Sequence, residues 1–207
     1  MSVNSQFDST KDYVLEDDRV LLRPIRSLDS AFLETYVVNE PEIWQFSLVA
    51  IQQPADLQTY IESAIQSRVD KTAYPFIVFD KLSQTYVGST RFYDMQLNFA
   101  TTQLGYTWYS KKVWGTGLNA HCKYLLLQFA FEKMQLQRVE LRADNDNKRS
   151  IAAMQKIGCT VEGILRSHLP RPNGTRRDSI VLSITKEDWE QKVKLLLQSQ
   201  LGSMPIN

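Results

Sequence analysis

The apolar positions of the chain are aperiodic at first and then fall into a regular succession of elements. Residues 1–17 carry no sustained apolar period and are expected to form a flexible N-terminal arm, with the folded domain over 18–200 and a short tail over 201–207. The segment "RVLLRPI" (19–25) predicts a short strand stopped by Pro24. In "SLDSAFLETYVVN", Leu28, Phe32, Leu33 and Tyr36 recur at helical spacing behind Ser27 or Asp29 as cap. A second helix is predicted over 55–69, with Leu57, Tyr60, Ile61, Ala64 and Ile65 on one face and Pro54 at its first turn. Segments 73–80, 85–95 and 102–110 are rich in β-branched and aromatic residues, and their short polar links predict an antiparallel meander.

From Gly115 the period changes to that of a helix, with Leu118, Cys122, Leu125, Leu126, Phe129 and Ala130 on one face, and 138–143 then reads as a strand. "DNDNKRSIAAMQKIG" predicts a capped helix ended by Gly158. Two further strands, "CTVEGILRSHL" and "TRRDSIVLSIT", enclose "PRPNG", where Asn173 and Gly174 predict a hairpin, and a closing helix is expected over 186–198. The order βααβββαβαββα is that of a single α+β domain without repeats.

Composition narrows the chemistry. The 207 residues carry a formal charge of +1, which offers no global attraction to nucleic acid or to an anionic membrane, so any anion must be bound locally. No run of about 18 apolar residues occurs, and no basic segment followed by an apolar one opens the chain, so a cytoplasmic protein that neither spans a membrane nor is secreted is expected. Cys122 and Cys159 lie in apolar segments and read as buried thiols. With His121 and His168 they match none of the usual zinc spacings, and no protein-bound metal is expected.

The stretch "KKVWGTGLNAHCKYLLLQFAFEKM" opens a long helix with two glycines one residue apart. Three readings compete. The glycines turn the chain and do nothing more. Alternatively, Gly115, Gly117 and Ala120 satisfy a dinucleotide fingerprint with Glu140 as the ribose acid, which would make the protein a nucleotide-dependent oxidoreductase. Residues 110–114 separate the glycines from the preceding strand, however, and too little α/β alternation follows for a doubly wound sheet. In the third reading the backbone N–H groups at the helix start grip a pyrophosphate, favoured by Lys111 and Lys112.

These residues resemble the GNAT superfamily of acetyl-coenzyme A dependent N-acetyltransferases. Its Arg/Gln-x-x-Gly-x-Gly/Ala loop corresponds to Trp114, Gly115, Thr116, Gly117, Leu118 and Asn119, with Trp114 in place of the first residue and Asn119 in place of the last. Trp-Gly-x-Gly, "LGYTWY", "LLLQFAFEKMQLQRVEL", "DNDNKRSIAAMQKIG", "EGILR" and "NGTRRDSIVLSI" are similar, in order, to the branch that acetylates ribosomal-protein N-termini. The resemblance implies a mixed, mainly antiparallel sheet with splayed central strands and helices on both faces. It further implies that the turn binds the coenzyme pyrophosphate, that backbone donors on the strand Gly105 to Tyr109 bind the pantetheine arm and polarise the thioester carbonyl, and that Trp108, Tyr109 and Ser110 are among the coenzyme-binding residues.

It also carries candidate roles for individual residues. Many members place a tyrosine acid where this chain has Met154, and a strand glutamate where it has Gln103. The branch resembled offers Ser150 near the coenzyme sulfur and Asn147 on the pantetheine or acceptor; both are equally an N-cap and a first-turn residue. For the base that deprotonates the amine, His168 and Glu162 are the candidates. Trp44, Phe46, Tyr93, Trp108 and Trp114 are candidates for an acceptor pocket walled by 39–51. The expected partners are acetyl-coenzyme A and an amine acceptor, with neither nucleic acid nor membrane, and the chain a monomer or homodimer. Absence of the tyrosine and the glutamate leaves a second reading, a coenzyme A binding regulatory module with little catalysis.

Overall fold

The structure, a computed structural model, describes residues 7–202. Its strands are β1 (Leu15–Glu16), β2 (Val20–Pro24), β3 (Ala73–Asp80), β4 (Thr85–Gln96), β5 (Thr101–Tyr109), β6 (Arg138–Asp144), β7 (Thr160–Pro170) and β8 (Arg176–Thr185). They form one sheet in the order β1-β2-β3-β4-β5-β6-β8-β7, antiparallel throughout except for the parallel pair β5 and β6. The helices are α1 (Ser30–Asn39), α2 (Pro54–Val69), α3 (Leu118–Gln128), α4 (Lys148–Lys156), α5 (Lys186–Asp188) and α6 (Lys194–Gly202). A π turn over Phe129–Lys133 extends α3, and another over Trp189–Val193 joins α5 to α6.

Alternation along the strands divides the core in two. Ile77 and Trp108 face Leu33, Tyr36, Leu57 and Ile61 of α1 and α2. Their sequence neighbours Val78 and Tyr109 face the opposite way, into a larger cluster with Leu118, Cys122 and Leu126 of α3, Met154 of α4 and Leu197 of α6. Helices thus cover both faces.

The central feature lies between β5 and β6. Pairing of β4 with β5 shifts register between Arg91↔Gly105 and Ser89↔Trp108, which places one extra residue on β5. Tyr106 sits at that bulge with φ +49°, a conformation uncommon outside glycine. The bend carries β5 away from β6, and the two strands pair only over Thr101–Gln103 and Arg138–Glu140. Beyond those residues the sheet is split.

Some sequence expectations are corrected. Residues 7–17 pack instead of hanging loose: Phe7 is buried, stacks on Tyr13 with centroids 5.6 Å apart and meets Phe129 edge-on at 5.8 Å. The Tyr13 amide donates to the Tyr74 hydroxyl at 2.9 Å, and that hydroxyl donates to the Lys11 carbonyl at 2.7 Å. Irregularly spaced aromatics leave no period for pattern reading to find. The rest of the arm, 1–6, and most of the tail, 203–207, lie outside the described residues. In α1 the buried face is Leu33, Tyr36 and Val37, while Leu28 and Phe32 are 84% and 51% exposed. Asp29 does not cap α1 with its side chain. It is buried, accepts the Arg26 amide at 2.7 Å and takes both arms of the Arg23 guanidinium.

Candidate active site

The split in the sheet is a cleft of about 1840 Å³, roomier than the ~300–1,000 Å³ that a single small ligand needs. One wall is β5 from Leu104 to Tyr109, the other β6 from Leu141 to Asp144, and α3 and α4 close it on one face of the sheet. The segment Ile43 to Leu48 and Tyr60 of α2 overhang the opposite face.

At one mouth stands the glycine turn. Gly115 has φ +75°, and Gly117, the N-cap residue of α3, has φ +87°. Both occupy the left-handed region where a side chain is strained, so glycine here is a backbone requirement. Among the described residues no acceptor takes the N–H groups of Gly115 or Gly117, and those of Leu118 and Asn119 open the helix without intrahelical partners. This is a ready anion cradle. Cationic groups surround it: Arg149 lies over the Trp114 ring at 3.5 Å, and Arg19 reaches the Thr116 hydroxyl at 3.4 Å. Glu40, just past α1, anchors the approach by accepting the Lys111 amide at 2.6 Å and the Ser110 hydroxyl at 2.9 Å.

Of the residues expected on the coenzyme, Trp108, Tyr109, Trp114, Gly115, Thr116, Gly117, Asn119 and Asn147 line the cleft. Ser110 does not, because its hydroxyl is drawn to Glu40 and fully buried. Leu118 is also off the lining, its side chain 1% exposed in the core, so only its amide is placed to serve. The candidate acceptor aromatics Trp44, Phe46, Tyr93, Trp108 and Trp114 all reach the cleft. Trp44 lies against Trp108 at 4.5 Å, and Tyr106 meets Tyr93 edge-on at 4.9 Å with the Arg91 guanidinium 4.0 Å from its centroid.

The catalytic candidates divide. Asn147 and Ser150 both line the cleft. The Asn147 side-chain Oδ1 caps α4 by accepting the Ser150 amide at 3.1 Å, and the serine hydroxyl is uncommitted among the described residues. Glu162 is not brought to the site. It forks with Arg138, accepts the Ser183 hydroxyl at 2.6 Å, and those bonds, Arg138 first, hold its carboxyl down to about 2. His168 is one layer back: its Nδ1 is 3.0 Å from Ser179 Oγ and its Nε2 is 3.5 Å from Arg142 Nη1, and it is Arg142 that lines the cleft. Burial, then Arg142, Arg177 and Arg176, keep that imidazole below its ordinary pKa and so neutral near pH 7.

Sequence reading passed over Lys123. It lies on the cleft side of α3, 5% exposed, donates to Thr107 Oγ1 at 3.1 Å and makes no ion pair with any described carboxylate. Burial pulls its pKa down to about 8. Between about pH 8 and the unfolded value near 10.5 the unfolded chain holds the extra proton, so folding stability rises with pH through that window and the penalty is complete below it. Urea titrations from pH 7.5 to 10.5 are expected to show Lys123→Met gaining most over wild type at the low end, with the difference shrinking as pH rises.

The thiols of Cys122 and Cys159 are pushed by burial up to about 12, far from a nucleophilic thiolate. Asp17, Asp18 and His121 bring potential ligand atoms within 4.8 Å of one another near the turn, a grouping the sequence spacing did not suggest. There the Asp17 carboxylate already accepts the Arg19 and Val20 amides and lies 2.8 Å from His121 Nδ1. No helix among the described residues is long and apolar enough to cross a membrane.

Comparison with known proteins agrees with this fold. A family model described as an acetyltransferase (GNAT) domain matches residues 19–160. "Putative ribosomal N-acetyltransferase YdaF" of Bacillus subtilis is 34% identical over 88 residues, which span 42% of this chain and 47% of that protein. "Probable N-acetyltransferase YjcK" of the same organism is 28% identical over 183 residues, 86% of this chain and 100% of that one. Among solved structures, Mycobacterium smegmatis RimJ in complex with CoA-disulfide shares the fold at a TM-score of 0.76 and 19% identity, covering 91% of this chain and 93% of its own. A GCN5-related N-acetyltransferase from Brucella melitensis does so at 0.84 and 20%, covering 91% and 85%.

Proposed function

The chain belongs to the GNAT acetyltransferase family, and on that premise we propose that it moves an acetyl group from acetyl-coenzyme A to a primary amine, on a protein N-terminus or a small molecule, by direct attack on the thioester. One observation carries the reading: the cleft opened by the bulge in β5 begins at the unpartnered amides of Gly115, Gly117, Leu118 and Asn119 and ends among aromatic side chains. The turn receives the coenzyme pyrophosphate, with Arg149 and Lys112 beside it. The pantetheine arm runs along β5 where β6 no longer pairs. Trp44, Phe46, Tyr93 and Tyr106 receive the acceptor.

At neutral pH the amine arrives as its ammonium and must lose a proton before it attacks. The carboxylates are poorly placed for this: Arg138 holds Glu162 down to about 2, Asp144 is held by Arg171 at 2.8 Å, Asp80 pairs with Arg19 at 3.4 Å, and Asp18 stands with Asp17 and His121 near the glycine turn. His168, neutral at pH 7, takes the proton through water. His168→Gln is expected to lower kcat about a hundredfold and to remove the acidic limb of the pH–rate profile. Glu162→Gln is expected to leave kcat unchanged.

The reading is tested by following coenzyme A thiol release from acetyl-coenzyme A in the presence of N-terminal peptides and small amines. Arg177 is 7% exposed, lines the acceptor side and forms no ion pair among the described residues, so amines that carry a carboxylate are placed first in the screen. Acceptor-dependent release is the expected result. Release that no amine accelerates, from a protein that binds the coenzyme, would favour a binding module instead.

A further inference from the structure

We infer that Lys123 is the acid of this site, a residue that hands a proton to the departing coenzyme sulfur; the inference rests on the acetyl transfer proposed above. It starts from an electrostatic anomaly. An ammonium 5% exposed, with a single hydrogen bond to a neutral hydroxyl and no described carboxylate in ion-pair range, is costly to fold around. Such a group is explained when the site it faces develops negative charge.

Placement says which charge. Lys123 lies on α3 five residues beyond Leu118, about 7.5 Å down the helix from the amides that receive the pyrophosphate. Its Nζ donates to Thr107 Oγ1, on the residue immediately after the bulge at Tyr106. Thr107 is pinned in turn by the Thr90 hydroxyl at 2.7 Å. The ammonium therefore lines the split between β5 and β6, as Met154 of α4 does, between the turn and the acceptor end.

The alternatives in the cleft are poorer acids. Burial raises the phenols of Tyr93 and Tyr109, and the Ser150 hydroxyl holds its proton too tightly. Both thiols lie in the core, off the cleft lining, and burial pushes them up to about 12. Lys123, near 8, is close to the ordinary thiol value of about 8.5, where proton transfer to a thiolate is nearly balanced.

The step balances. The amine lone pair forms the C–N bond, the C–S bond breaks with its electron pair going to sulfur, and the Nζ proton passes to that sulfur to give the thiol. The proton lost by the amine passes through water to His168 and from there to solvent, and Lys123 is reprotonated from solvent.

Two measurements on wild type and Lys123→Met, each first checked for an intact thermal transition, test the role. In the first, free coenzyme A is bound and its thiolate followed by ultraviolet absorbance against pH. The bound thiol is expected to ionise at lower pH in wild type than in the variant by at least one unit. In the second, Lys123→Met is expected to lose about a hundredfold or more in kcat with acetyl-coenzyme A affinity within about threefold, and Lys123→Arg, which keeps the charge but holds its proton, is expected not to restore it. The same sulfur titration in both proteins, or an unchanged kcat, would overturn the role of Lys123 and leave the proposed transfer standing. Failure of wild type to bind the coenzyme would remove the transfer itself, and this inference with it.

Discussion

Replacing Gly117 with tryptophan is expected to abolish measurable acetyl-coenzyme A binding while the protein stays folded. Gly117 lines the cleft and holds φ +87° at the N-cap of α3, where a non-glycine residue pays roughly 1–2 kcal/mol, and an indole there adds bulk beside the amides that an anion must approach. Relaxing the strain turns those amides away from one another, so both routes remove the same contacts. A loss of at least a hundredfold, about 2.7 kcal/mol, is expected in calorimetric titration, with the thermal transition lowered by only a few degrees. Binding as tight as in wild type would mean that the turn is only a turn.

The second large effect is on the wall of the cleft. Gly88 of β4 lies so close to β5 that a Cβ would stand 2.1 Å from the Trp108 carbonyl oxygen and 2.9 Å from the Tyr109 Cα. Both are backbone atoms, which no rotamer change can move aside. Gly88→Ala is therefore expected to cost about 3 kcal/mol or more in urea unfolding, at the upper end of overpacking effects, because the end of β5 must shift. Since Trp108 and Tyr109 line the cleft, weaker coenzyme binding is expected alongside. A variant of wild-type stability would show that β4 and β5 do not approach so closely.

Much of the fold was legible because its long elements keep strict periods. The helix over 54–69 and the strands over 73–80 and 138–144 fall within a residue or so of expectation, and Gly115 and Gly117 announced the turn that opens α3. What escaped is what depends on tertiary geometry. The bulge at Tyr106 opens the whole site, yet a tyrosine in a β-branched, aromatic strand gives no sign of a positive φ. Lys123 sits between Cys122 and Tyr124 on a helix whose apolar face runs through Cys122 and Leu126, so pattern alone left it at the edge of that face. Glu162 and His168 share a strand with similar polarity, but register sends one to Arg138 and the other to Arg142 at the cleft wall. Ser110 was lost to the site through Glu40, a partner 70 residues away in sequence.

The most direct test of the central claim, that the split between β5 and β6 is an acetyl-coenzyme A site opening at the glycine turn, is a calorimetric titration of the wild-type protein with acetyl-coenzyme A, with NADH as the control. Saturable binding near one equivalent for the coenzyme, and none for NADH, is the expected result. No heat of binding with acetyl-coenzyme A, or saturation with NADH alone, would contradict it.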